Sequence, residues 1–126
     1  MRAVDTNIVL RAILGDHAQQ TPIAVRIMAG ETFIPITVLI EIGWMLSRSL
    51  RYPRPQVADT LSDLVDSSTV ADEPHVRWAI ARYRAGADFA DMLHLVTARD
   101  MAGFVTFDRE LAQDAGPDAP VAVAVV

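Results

Sequence analysis

The 126-residue chain contains no cysteine and no lysine. The first absence excludes disulfides, thiolate metal sites and cysteine nucleophiles. The second removes lysine from every mechanism, since all eleven basic residues are arginine. Compositional drift accounts for that bias as readily as function does, but arginine still offers a bidentate fork for phosphate or carboxylate partners. No apolar run approaches the roughly 20 residues of a membrane span, and no basic segment leads into an apolar one. Internal repeats, low-complexity tracts and linkers are missing, and without a glycine-rich phosphate loop nucleotide binding has no support. The expectation is a cytoplasmic protein with no membrane association.

What remains is a foldable chain. Hydrophobic residues make up 52% and charged residues 21%, which suits a globule rather than a disordered segment. The length fits one compact domain over residues 1–126. A net charge of −5 argues against a simple electrostatic nucleic-acid binder. It leaves room for an acidic site that meets phosphate through a metal.

Five acidic residues stand beside or inside the most apolar stretches. Asp5 follows Arg2-Ala3-Val4, Glu41 interrupts the run from Ile34 to Leu46, Asp88 and Asp91 flank Phe89-Ala90, and Asp108 closes Phe104 to Phe107. Carboxylates taken out of water and brought together repel one another, and a divalent cation is the obvious compensation.

The pattern alternates short apolar strands with helices. Strands are expected at Arg2 to Asp5, Thr32 to Ile34, Phe104 to Phe107 and Val121 to Val126, with a loop or weak strand at Ser67 to Val70. Helices are expected at Ile8 to Leu14, up to Ala29, from about Thr37 to Leu50, Gln56 to Val65, Glu73 to about Gly86, Asp88 to near Gly103, and Arg109 to Asp114. The start of the second is ambiguous between an Asp16/Gln19 capping box and a proline at the first position, Pro22. The fold class that follows is a three-layer α/β/α sandwich with a mostly parallel central sheet of four or five short strands. Ligands in such folds bind beyond the carboxyl ends of the strands, where Asp5 and Asp108 sit. Asp88 and Asp91 share one helical face, and all five acids are placed to converge at one sheet edge.

Each acid also has a plainer reading. Asp5 suits a polar strand end, and Asp108 and Asp88 suit helix N-caps. Thr6, Asn7 and Thr106 are placed to hydrogen-bond a carboxylate, a phosphate or a helix start. Arg11, one turn past Asn7, serves a phosphate, the site carboxylates or the surface. His94, one turn after Asp91, lacks the second histidine of a zinc motif. His17 and His75 read as solvated, and Trp44 and Trp78 as core or interface aromatics.

The segments Val4-Asp5-Thr6-Asn7, Glu41 in the third helix, Asp88-Phe89-Ala90-Asp91-Met92-Leu93-His94 and Val105-Thr106-Phe107-Asp108, in this order, resemble a PIN domain. More narrowly, they resemble VapC-type toxin ribonucleases of bacterial toxin–antitoxin pairs. The resemblance spans nearly the whole chain. It implies a type II toxin that is a metal-dependent endoribonuclease, with Asp5, Glu41, Asp91 and Asp108 as the acidic quartet. Asp5, Asp91 and Asp108 would hold Mg²⁺ or Mn²⁺, which activates water for attack on RNA phosphodiesters. Glu41 would act through water, with Asp88, Thr6, Asn7, Thr106 and Arg11 as auxiliary residues. RNA substrate, a cognate antitoxin protein and a homodimer are the implied partners. The alternative is a catalytically inactive PIN-like scaffold acting by protein or RNA binding. Receiver domains and haloacid-dehalogenase-like phosphatases fit poorly, because Asp5-Thr6-Asn7 lacks a second aspartate and the chain lacks lysine.

Overall fold

A computed structural model describes all 126 residues. The elements run β1 (Arg2–Ala3), α1 (Thr6–Leu14), α2 (Gln20–Met28), β2 (Thr32–Phe33), α3 (Ile36–Trp44), α4 (Arg54–Ser67), α5 (Glu73–Arg84), α6 (Phe89–Thr97), β3 (Phe104–Thr106), α7 (Arg109–Ala115) and β4 (Val123–Val125). Helices flank two small parallel sheets in an α/β/α arrangement.

The expected central sheet is divided. β1 pairs with β2, and β3 pairs with β4, both in parallel. No ladder hydrogen bond joins the two pairs. Both pairings are parallel, so each needs a crossover: α1 and α2 between β1 and β2, α7 between β3 and β4. β1 is short because the chain turns at Asp5 to start α1, and its two residues are exposed rather than buried. Val4 carries the burial instead. The segment around Ser67 to Val70 contributes a single parallel bridge, Phe33 with Thr69.

A cluster of 27 buried residues forms the core and draws on every helix except α2. In α4 the buried residues are Val57, Ala58, Leu61, Leu64 and Val65, the stripe of a one-faced helix. α2 packs from outside through the partly buried Ile27 and Met28. Neither expected start of α2 is used. The His17 ring Nδ1 accepts from the Gln20 amide at 3.0 Å and the Gln19 amide at 3.3 Å, filling the role of a cap. His17 is therefore a structural acceptor, not a solvated side chain.

Three other boundaries shifted. α4 starts at Arg54 because proline is tolerated in a first turn, so Pro55 opens the helix instead of delaying it. α6 stops at Thr97, where Arg99 and Asp100 end the apolar period. α3 does not end cleanly: Met45–Ser49 continues it as a π-helical turn, with the Leu50 amide donating to the Met45 carbonyl at 3.0 Å. Such turns interrupt regular helices and are frequent at functional sites. No helix is long and apolar enough to cross a membrane.

α3 approaches α6 closely at Gly43, where an added Cβ would lie 3.0 Å from the Phe89 ring. Phe89 is buried and edge-packed on Tyr83, with ring centroids 5.8 Å apart, so it has little room to yield. Gly43→Val is expected to destabilise the protein by roughly 1–3 kcal/mol through overpacking, read as a lower urea midpoint. An unchanged midpoint would show that the helices separate freely.

Candidate acidic clefts

The five acidic residues are carried by different elements and line two clefts. Asp5, Thr6, Asn7 and Glu41 line one open cleft of about 260 Å³, together with Leu10 and Met45. Asp88, Asp91 and Asp108 line a second of about 190 Å³, with Glu110, Asp114 and Arg54. Asp5, Glu41, Asp88 and Asp108 are exposed, and only Asp91 is partly buried. Apolar neighbours in sequence therefore did not imply burial: Val4, Ala87 and Phe89 turn inward beside exposed carboxylates, and Phe107 stays at the surface with Asp108.

Three of the five carboxylates are engaged at helix starts. Asp5 Oδ1 accepts from the Ile8 amide at 3.0 Å and caps α1. Asp88 Oδ1 accepts from the Asp91 amide at 2.9 Å and caps α6. Asp108 Oδ1 accepts from the Glu110 and Leu111 amides at 2.9 and 3.1 Å and caps α7. Each satisfies backbone donors that the helix itself leaves free. The Thr106 hydroxyl accepts from the Asp108 amide at 2.9 Å and so supports the same turn. Arg11 donates to Gln20 Oε1 at 3.0 Å and to Asp16, tying α1 to the start of α2, and lines a pocket with Asp5 and Asn7. His94 is exposed. His75 pairs with Asp72 at 2.7 Å, and Arg99 meets the same carboxylate at 2.9 Å.

Burial pushes the Asp91 carboxyl above its ordinary range, and the charges of Asp88, Asp108 and Asp114 push it the same way; His94 opposes them. The second cleft is thus an electrostatically coupled group without being a ligand cage. Its acids are near enough to feel one another, yet Asp88 and Asp108 spend an oxygen each on backbone N–H groups. Across the protein, no group of three or more histidine, aspartate or glutamate side chains is placed to hold a metal ion.

Against known families, residues 2–116 match the PIN domain. The chain belongs to the PIN-domain family. No curated protein and no solved structure matches it. β4 lies beyond the matched span, so the family pattern covers all of this PIN domain but its last strand.

Membership does not carry the expected chemistry with it. The donors do not fit a Mg²⁺ or Mn²⁺ ion, which requires several oxygen ligands converging on one point. That overturns the expectation of a metal-dependent endoribonuclease with bound Mg²⁺ or Mn²⁺, and of a toxin acting by RNA hydrolysis. The physical reason is the division between two clefts and the capping bonds that hold three of the carboxylates in place. Arg54, Glu110 and Asp114 were missed as lining residues. Glu110 and Asp114, both after Asp108, stand four residues apart, which puts them on one face of α7. Arg54, between two prolines at the start of α4, carried no such signal, because what fixes its side chain is two carbonyls and the Tyr83 ring.

Two substitutions separate capping from ligation. Asp108→Asn keeps a good cap and is expected to leave stability nearly unchanged, while Asp108→Ala costs about 1 kcal/mol in denaturant unfolding. Equal losses in both would show that the charge, not the cap, matters. For Asp91 the raised value means that the fold disfavours the ionised form. Its stabilising contribution is present at low pH and is lost as pH rises through the raised value. Asp91→Asn should therefore raise the melting temperature at neutral pH, with the gain vanishing below about pH 4, the ordinary aspartate range. A lower melting temperature at neutral pH would contradict this.

Proposed function

We propose that this PIN domain, over residues 1–126, is a binding scaffold that works through a protein partner without cleaving RNA. The observation that carries the reading is the engagement of Asp5, Asp88 and Asp108 as helix caps, in two clefts where no three acidic or histidine side chains are placed to hold a metal ion. Acids that hold helix starts keep their value for the fold when no metal is used. The net charge of −5 and the five carboxylates of the second cleft weigh against RNA as the ligand, because phosphates would meet like charge there.

Exposed apolar side chains favour a protein partner. Trp44 is 58% exposed and Phe107 86%, and large aromatics at the surface are the usual anchors of protein interfaces. The order of the Val4-Asp5-Thr6-Asn7 and Asp88 to His94 segments supports the narrower VapC-like kinship. On that kinship the partners are an antitoxin-type protein and a second copy of the chain, in a cytoplasmic setting that the lack of cysteine suits.

The test is incubation of the purified protein with total RNA in Mg²⁺ or Mn²⁺. RNA is expected to survive, and Asp5→Asn and Asp91→Asn proteins to behave like the parent. Metal-dependent cleavage that those substitutions abolish would overturn the scaffold reading.

A further inference from the structure

A groove of about 230 Å³ runs between α3, its π-helical turn and the start of α6. Its apolar lining includes Ile40, Trp44 and Phe89. Two arginines also line it, held in different ways. Arg54 Nη1 donates to the Tyr83 and Ala87 carbonyls at 2.7 and 2.9 Å, and its guanidinium carbon lies 4.4 Å from the Tyr83 ring centroid. That cation is positioned by carbonyl dipoles and a ring face and makes no direct ion pair, though it also borders the second acidic cleft. Arg48 follows Trp44 by one turn, is exposed, and makes no ion pair or hydrogen bond.

Asp88 is the groove's one acidic residue, and its Oδ1 is committed to the Asp91 amide. Two cations against one engaged carboxylate make this groove locally positive on a chain of net charge −5. The local field therefore complements an acidic ligand that also has something apolar to bury. An extended polyanion fits less well, since Arg54 and Asp88 also border the second acidic cleft and a phosphate chain leaving the groove on that side would be repelled.

We propose that this groove docks an acidic amphipathic segment of a partner protein. An apolar side chain of that segment seats against Trp44 and Phe89, and a neighbouring carboxylate meets Arg48 and Arg54. The pre-set Arg54 guanidinium lowers the ordering cost of the contact, and the desolvated apolar floor strengthens it. The proposal rests on the scaffold reading for its partner class. It fails separately from that reading, because RNA cleavage would overturn the scaffold while leaving peptide capture in this groove untouched.

The experiment is selection of random peptides displayed on phage against the full chain, followed by binding of the enriched peptides to Trp44→Ala and Arg48→Glu proteins. Both positions are exposed, so circular dichroism should match the parent. Enriched peptides are expected to carry Asp or Glu beside Leu, Phe or Trp, and to bind each variant at least about tenfold more weakly. The proposal is overturned by no enrichment, by enriched peptides without acidic residues, or by binding that both variants retain. It is equally overturned if a fluorescent oligouridylate binds the parent and competes with the peptides, which would assign the groove to RNA.

Discussion

The first turn of a helix has backbone N–H groups that the helix cannot satisfy, and in this protein that need governs what the acidic residues do. α1, α6 and α7 each start directly after an aspartate, and each aspartate turns an oxygen back onto the helix. The bond is modest, about 1 kcal/mol, but it fixes the rotamer of the side chain that makes it. A carboxylate so oriented is a poor candidate for a shared ligand position unless its second oxygen happens to face the others. Here the geometry does not provide that convergence. The same residue type at the same chain position can therefore belong to a nuclease pattern and serve the fold.

A second constraint sets the packing beside the second acidic cleft. Gly43 lets α3 lie close to Phe89, Phe89 packs on Tyr83, and Tyr83 presents both its ring and its carbonyl to Arg54. That sequence of contacts connects α3, α4, α5 and α6. It leaves Trp44 and Arg48 outside, where helix packing gives them no partner. Burial and exposure along α3 thus have a common origin: the face with glycine is drawn inward, and Trp44 and, in the π-helical turn, Arg48 are left at the surface.

Much of the architecture was legible in the residues. Short apolar runs located the strands, and the expected helices over Ile8 to Leu14 and Gln56 to Val65 correspond to α1 and α4 within two residues at each end. The capping roles of Asp88 and Asp108 were also readable, as one of two meanings for each residue. Between those meanings only three-dimensional placement decides, since an N-cap and a metal ligand ask for the same side chain after the same strand. The division of the sheet was not legible, because register between β1 and β3 depends on where each strand stops rather than on composition. His17 as the start of α2 was hidden for a related reason: a ring nitrogen caps only when the preceding loop aims it. Arg54 was hidden because its partners are carbonyls and a ring, which no charge pattern along the chain betrays.

The acids of this PIN-domain pattern act as separate structural groups and not as one ion site. Titrating ¹⁵N-labelled protein with paramagnetic Mn²⁺ and following amide line widths tests it most directly. The expected result is weak, unsaturated broadening, with amides near Asp5 and Glu41 responding independently of those near Asp91 and Asp108. A single saturable curve that broadens both sets together would contradict the claim, since one ion would then be held by residues from both clefts.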